Sequence, residues 1–315
     1  MLCILLAILS CCANVILLET LLRAVPGCGN VVTFFQFLFV AVEGLIFTSK
    51  FGKEKPAVPL KNYIVLVVMF FAVSVANNWA LNFNIPMPLH MIFKSGSLVT
   101  SMFMGRFLLK KKYAFIKYFS VLMVSCGIFL ATWASYRIKA ETNSEINTPK
   151  NQSFIGIALM SFALILSAGL GIYQETLFKK YGKHPKEALF YSHALPLPGF
   201  LLLIGDIYPQ LHLFSKSGII ELFLFNIPLL WLYLIGNVIT QYICVRSVFT
   251  IAAKYSSLTV TMIITFRKFV SLIFSIIYFQ NPFTNLHWFA TFLVFAGTLL
   301  FTDLKNLRSQ TKKLE

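Results

Sequence analysis

Ten apolar stretches, separated by short polar or Pro/Gly turns, fill almost the whole chain: 2–22, 31–48, 63–82, 90–109, 114–136, 154–178, 188–208, 222–245, 257–279 and 286–304. About 20 helical residues cover ~30 Å of hydrocarbon, so each stretch is long enough to cross a bilayer. Inside lipid every backbone N–H and C=O must find a partner within the protein, which leaves helices and closed barrels. These runs are continuously apolar rather than alternating, so they read as helices. The expectation is an all-α polytopic membrane protein with ten transmembrane helices. The composition agrees: 12% of the 315 residues are charged, where soluble domains carry about 25%. The longest connection, 137–153, is polar and leaves no room for a soluble domain. Residues 1–6 carry no basic flank and no small-residue cleavage site, so the first stretch reads as an uncleaved span.

The net charge of +16 would suggest nucleic acid in a soluble protein. Here it reads as topology. Cytosolic loops accumulate Lys and Arg, and 18 cations fall in the even-numbered loops and the tail against 5 in the odd-numbered loops. That bias places both termini in the cytosol and makes the lipid bilayer, not nucleic acid, the surrounding partner. Six cysteines show no C-x-x-C and no metal spacing, so they read as small buried residues; no metal site and no cofactor are expected.

Four of the 27 cations remain, all inside apolar runs: Lys94, Arg106, Arg267 and Lys268. Arg106 lies near a helix end and can snorkel. The others cannot, and a charge near mid-span costs ~3 kcal/mol or more on insertion scales. They need an anion. One source is internal: Glu19, Glu43 and Glu175 also lie in the spans, and Arg267 could pair with Glu175. The other is a multiply charged ligand such as a diphosphate, for which Lys supplies a compact charge and Arg a two-pronged donor.

The two halves echo each other. Lys94-x-x-Ser97-Leu98 matches Lys268-x-x-Ser271-Leu272, and Val124-x-x-Gly127-x-x-x-x-Thr132 matches Val294-x-x-Gly297-x-x-x-x-Thr302. A five-span unit is odd-numbered, so its second copy enters the membrane inverted. The expected division is therefore 1–136 and 154–304 as inverted five-helix repeats, 137–153 as a lumenal linker and 305–315 as a cytosolic tail. Inverted repeats hold a substrate near the midplane between two rocking halves.

Long runs carry a family resemblance: Pro86-Met87-Pro88-Leu89-His90-Met91-Ile92-Phe93-Lys94-Ser95-Gly96-Ser97-Leu98, Tyr173-Gln174-Glu175-Thr176-Leu177, Lys186-Glu187-Ala188-Leu189-Phe190-Tyr191 and Arg267-Lys268-Phe269-Val270-Ser271-Leu272. The chain resembles, over nearly its full length, the nucleotide-sugar transporters of the drug/metabolite transporter superfamily (solute-carrier family 35), most closely its B branch. The resemblance implies antiport of UDP-N-acetylglucosamine and/or UDP-xylose for UMP, across the ER or Golgi membrane. UDP-galactose or UDP-glucuronate is the alternative cargo. It also implies that Lys94 and Lys268 meet the phosphate. The FYNN motif of GDP-mannose carriers corresponds to Phe190-Tyr191-Ser192-His193, and their GALNK to Ile264-Thr265-Phe266-Arg267-Lys268; the changed residues argue against GDP-mannose.

The candidate substrate-binding set is Lys94, Lys268, Arg267, Tyr191, His193, Asn77, Asn78, His90, Ser95 and Thr265. Each has a plainer reading. Tyr191 can stack on a base or simply pack. His193 can bond uracil or ribose, or be a satisfied structural histidine. His90, after Pro86 and Pro88, can face the cavity or cap its helix. Asn77 and Asn78 can line the cavity or bond between helices, and Gln36, Asn237 and Gln241 share that ambiguity. Paired carboxylates, D-x-D and His/Cys clusters are absent from the spans, so a membrane-embedded sugar transferase is not expected.

Two further signals lie outside the spans. Asn151-Gln152-Ser153 is a glycosylation sequon abutting the sixth span and is expected to stay unused. Lys312-Lys313-Leu314-Glu315 has the form of a C-terminal dilysine retrieval signal, read by a cytosolic coat; otherwise it is a basic tail that meets anionic lipid. Homodimerisation is left open.

Overall fold

The computed structural model describes residues 2–301 apart from 84, 108, 109, 111, 143–150, 183, 223, 224, 255 and 256. Twelve α-helices dominate it: α1 (Leu2–Ala24), α2 (Gly29–Phe47), α3 (Leu60–Asn82), α4 (Met87–Lys94), α5 (Ser97–Phe107), α6 (Phe115–Thr142), α7 (Asn151–Tyr181), α8 (Pro185–Ala194), α9 (Ile204–Ser215), α10 (Leu229–Lys254), α11 (Ser257–Phe279) and α12 (Asn285–Phe301). A 3₁₀ turn, Leu197–Leu203, joins α8 to α9, and a two-stranded antiparallel hairpin, β1 (Ile219–Leu222) and β2 (Phe225–Pro228), precedes α10. Among the described residues seven helical stretches are long and apolar enough to cross a membrane, with Pro185–Ser215 counted as one; α12 is a shorter apolar helix. Large apolar side chains such as Phe115, Phe154 and Leu202 point outward, as they must where the surroundings are lipid.

Four sequence expectations are corrected. The fourth stretch is not one helix: it breaks at Ser95-Gly96, where tight turns run from Ser95 N–H to Ile92 O (3.0 Å) and from Gly96 N–H to Phe93 O (2.9 Å). A Cβ at Gly96 would meet Ile128 Cδ1 and the Phe93 carbonyl oxygen at 3.0 Å, so a side chain there is tightly restricted. The seventh stretch is interrupted by Pro196 and Pro198, whose missing N–H groups favour the 3₁₀ turn. The start of the eighth stretch is the hairpin, so α10 opens only at Leu229. The described parts of the 137–153 linker are helical, because α6 continues to Thr142 and α7 begins at Asn151.

Helices pair lengthwise. α6 packs along α12, α1 along α10, α3 along α7 and α2 against α8, while α1 also meets α11 and α5 meets α7. The α6–α12 contact depends on the two glycines matched between the halves. A Cβ on Gly127 would lie 2.6 Å from Val294 Cγ2, and one on Gly297 would lie 2.9 Å from Val124 Cγ2. Each glycine thus receives the valine three positions before the other, which lets the backbones approach. The apolar core beside this crossing gathers Ile92, Phe93, Val124, Leu272, Ala290 and Val294.

The cysteine expectation also needs correction. Cys11 on α1 and Cys244 on α10 form a disulfide with a Cα–Cα distance of 5.0 Å. They stand 233 residues apart in sequence; only the antiparallel packing of the two helices brings them together. Cys3, Cys12, Cys28 and Cys126 are free.

Candidate functional site

The break in the fourth stretch decides where the first cation goes. Lys94 is the last residue of α4, where unpaired carbonyls carry partial negative charge and favour a cation. It projects into a cavity of about 360 Å³ bounded by α1, α2, α3, α4, α8, α10 and α11, and is exposed there although its neighbours Phe93 and Ser95 are buried. Arg267 and Lys268, from α11, line the same cavity. The outer side of that helix turn is apolar, with Phe266 exposed. The three cations that the sequence left without partners therefore share one space.

Among the described residues no carboxylate lies within ion-pair distance of any of the three. The intramembrane acids are engaged elsewhere. Glu19 accepts from Ser275 Oγ at 2.5 Å and Asn281 Nδ2 at 2.9 Å, and meets Arg23 at 3.3 Å. Glu43 accepts from Tyr242 at 2.5 Å, with Arg246 at 3.8 Å. Glu175 takes Lys179 at 2.7 Å. The internal pairing considered for Arg267 and Glu175 is not formed; Arg267 instead directs Nη1 to Cys244 Sγ at 3.5 Å, and its buried Nε has no partner. Three like charges in a low-dielectric space repel strongly, and an anion entering it would relieve that repulsion.

Of the other candidates, the cavity wall holds His90, His193, Asn77 and Asn78. His90 sits one helical turn before Lys94; it is 4% exposed, and its Nε2 has no hydrogen bond. His193 places Nδ1 2.8 Å from the Leu189 carbonyl. A carbonyl only accepts, so Nδ1 carries the proton and Nε2 is left as an acceptor. Its ring lies against Phe37 and Phe70, with centroids 4.7 and 5.2 Å away. Asn77 Nδ2 donates to the Val73 carbonyl at 2.8 Å within its own helix. Asn78 donates to Asn30 Oδ1 (3.1 Å) and Thr33 Oγ1 (2.8 Å), and Asn30 donates to Asp206 at 2.6 Å. That chain joins α3, α2 and α9, so Asn78 serves helix contact as well as the wall. Gln36 and Asn237 bond each other at 2.7 Å, and Asn237 bonds reciprocally with Asn14.

Tyr191 is not in this cavity. It stacks on Tyr63 at 5.0 Å, and the Tyr63 hydroxyl donates to Glu187 at 3.0 Å. It borders a separate recess with Lys50, Lys55 and Lys186 at the end of the bundle that carries the α2–α3 loop. There Glu54, 2.6 Å from Lys50, holds that ammonium above the usual lysine pKa; the pair is exposed and contributes little.

Ser95 and Thr265 also lie outside the central cavity. They line a niche of about 160 Å³ with Ser97, Leu98, Ile264, Thr298 and Lys268. Lys268 borders both spaces and is the link between them. Phe37, Phe70, Asn14 and Ser271 also line the central cavity and were not singled out from the sequence. Only Ser271 carried a signal, through the matched lysine–serine spacing of the two halves. Lys312 and Lys313 lie outside the described residues.

The comparisons with known proteins agree along nearly the whole chain. The sequence model of the UAA transporter family matches residues 1–305. The "Nucleotide sugar transporter SLC35B4" of Homo sapiens is 53% identical over 308 residues, covering 96% of this chain and 93% of that protein. The "UDP-xylose and UDP-N-acetylglucosamine transporter" of Danio rerio is 53% identical over 308 residues, covering 95% and 92%. The "Endoplasmic reticulum GDP-fucose transporter" of Drosophila melanogaster is 49% identical over 311 residues, covering 95% and 88%.

Proposed function

The chain belongs to the UAA transporter family of nucleotide-sugar carriers, and from that premise we propose that it carries UDP-N-acetylglucosamine and/or UDP-xylose from the cytosol into the ER or Golgi lumen in exchange for UMP. The observation that carries this reading is the shared cavity of Lys94, Arg267 and Lys268 with no carboxylate partner among the described residues. A diphosphate supplies the missing anion. Charge-assisted contacts of this kind are roughly twice as strong as neutral hydrogen bonds. The nucleoside then lies toward Phe37, Phe70 and His193, where the free Nε2 of His193 accepts from the uracil N3–H or a ribose hydroxyl. Tyr191, beyond the cavity wall, enters by positioning α8 or by meeting cargo at the entrance.

The translocation cycle proposed is alternating access by ten spans in two inverted repeats. The packing pattern supports it. If each span of the first half is exchanged with its counterpart in the second, the α1–α10 contact becomes α3–α7, and α1–α11 becomes α5–α7; the reciprocal glycine–valine contacts follow the same rule. The halves meet between α6 and α7. Cargo drives the cycle only through its different affinity for the two states. The loop charges support cytosolic termini in this reading, with Lys312-Lys313 available to a retrieval coat.

A second cargo reading, GDP-fucose, is favoured by the name of the Drosophila melanogaster relative. Uptake into proteoliposomes across a panel of UDP- and GDP-sugars, with and without trapped UMP, separates the two. The proposal expects UDP-N-acetylglucosamine or UDP-xylose uptake stimulated by internal UMP. GDP-fucose uptake stimulated by GMP alone would replace it with the second reading.

A further inference from the structure

Glu43, Glu187, Glu19 and Asp206 each accept a hydrogen bond from the opposite half of the chain, counting α1–α6 as one half and α7–α12 as the other. The first two lie at the end that carries the α2–α3 loop. Glu43 on α2 accepts from Tyr242 on α10 at 2.5 Å, and Arg246 donates to the same hydroxyl at 2.6 Å. Glu187 on α8 accepts from Tyr63 on α3 at 3.0 Å and from the backbone N–H groups of Ala57 and Val58 at 2.9 and 3.1 Å. The other two lie at the opposite end. Glu19 on α1 accepts from Ser275 on α11 at 2.5 Å and from Asn281, in the turn after it, at 2.9 Å. Arg23 donates to the same Asn281 at 2.7 Å. Asp206 on α9 accepts from Asn30 on α2 at 2.6 Å. Asn30 and Glu43 are 13 residues apart on α2, or ~20 Å of helix. The three-cation cavity lies between these two levels and meets α2 from Val32 to Val40.

A second cavity, of about 870 Å³, opens beside the Glu43–Tyr242 bond, between α2, α8 and α10. Among the residues that line the two cavities, Val40 alone is common to both. On α2 they follow one helical face, with Thr33 and Phe37 in the first and Gly44 and Phe47 in the second. On α8, His193 lines the first and Leu189, one turn earlier, lines the second. The second cavity therefore continues the first toward the end of the α2–α3 loop. Near their junction α8 closes on α2, since a Cβ on Gly44 would lie 2.5 Å from Phe190 Cδ2.

We infer that these four carboxylates gate the carrier. Glu43–Tyr242 and Glu187–Tyr63 hold the cytosolic end shut, and Glu19–Ser275–Asn281 and Asp206–Asn30 hold the lumenal end shut. This rests on the alternating access and the orientation proposed above. An end opens only when the halves part there, and parting them at either end breaks the bonds of that end and spares those of the other. Hydrogen bonds to an ionised group are about twice as strong as neutral ones, so the intact set resists opening on its side. Water entering the parted end solvates the released carboxylates, which keeps the step reversible. Breaking the Glu43–Tyr242 bond also joins the second cavity to the first and gives cargo a path from the cytosol to the three cations.

The test uses Ser74→Cys, a reporter on α3 that lines the central cavity, in sealed vesicles with the cytosolic face outward. A membrane-impermeant maleimide is supplied either outside or enclosed in the vesicle lumen, and mass spectrometry of the peptide carrying residue 74 gives the labelling rate. Adding Tyr242→Phe or Tyr63→Phe should raise labelling from outside about tenfold, equivalent to ~1.4 kcal/mol, and not from inside. Adding Ser275→Ala or Asp206→Asn should do the reverse. Glu43→Gln, which keeps the side-chain shape and removes the charge, serves if Tyr242→Phe fails to fold. Variants that raise labelling from both faces would show general loosening of the bundle and overturn the assignment, and so would unchanged labelling from either face. Labelling needs no cargo. A wild type that takes up no nucleotide sugar would therefore remove the functional reading, while the labelling result would still decide the gates.

Discussion

Replacing Lys268 by methionine separates a ligand-binding cation from a structural one, because the two roles give opposite signs for stability. Methionine keeps the length and apolar volume of the stem and removes the charge. In the empty protein Lys268 shares its cavity with Lys94 and Arg267 and has no carboxylate within ion-pair distance among the described residues. Removing an uncompensated cation of this kind returns part of the ~3 kcal/mol that a mid-membrane charge costs. At about 2–4 °C per kcal/mol for a chain of this size class, Lys268→Met should melt a few degrees above wild type without ligand. Binding should move the other way. Truncating one member of a desolvated charge pair costs ~2–5 kcal/mol, and each ~1.4 kcal/mol is tenfold in affinity. UDP-sugar uptake should therefore fall by at least about 30-fold. The assay is paired: thermal unfolding of detergent-purified protein with and without UMP, and initial uptake rates from the same preparations. Wild type should gain stability on adding UMP and the variant should not. A variant that melts lower than wild type and still transports would refute the reasoning, since that is the signature of a broken internal ion pair.

Gly127→Leu should destabilise the α6–α12 crossing, since even a Cβ there falls 2.7 Å from the Ala290 carbonyl oxygen. Overpacking costs ~1–3 kcal/mol, Gly297→Leu should match it, and unchanged melting of both would remove the close-crossing account. Cys244→Ser should lower stability by ~2–4 kcal/mol, and mass spectrometry of unreduced protein should recover a peptide linking Cys11 to Cys244; free thiols at both positions would contradict the pairing. Changing Lys312 and Lys313 to Ser should shift the protein forward along the secretory pathway in fluorescence microscopy, and an unchanged distribution would discard the retrieval signal.

The sequence was most informative where one physical force dominates. Hydrophobicity located the membrane stretches, and the cost of an uncompensated charge singled out Lys94, Arg267 and Lys268, which the fold brings to one cavity. The spacing match between halves singled out Gly127 and Gly297, and both lie at the α6–α12 crossing. What stayed hidden depends on local backbone balance or long-range packing. The break at Ser95-Gly96 turns one predominantly apolar run into two helices, and a hydropathy window averaged over the whole span does not register it. Leu222 and Phe225–Pro228 fall in a run apolar enough to pass for a helix start, yet they belong to paired antiparallel strands. The Cys11–Cys244 link follows from which helices lie side by side, which composition does not reveal. The motif alone groups Tyr191 with the cavity, but at two positions before His193 on a helix it faces a different side, where it stacks on Tyr63.

The role proposed for Lys94, Arg267 and Lys268 is to neutralise phosphate. The most direct measurement is calorimetric binding of UMP and of uridine to the purified protein, in wild type and in the Lys94→Met/Lys268→Met double variant. The account predicts that wild type binds UMP at least about 30-fold more tightly than uridine, the equivalent of ~2 kcal/mol, and that the difference collapses in the double variant while uridine binding persists. Equal affinities in wild type, or a difference that survives loss of both lysines, would contradict it.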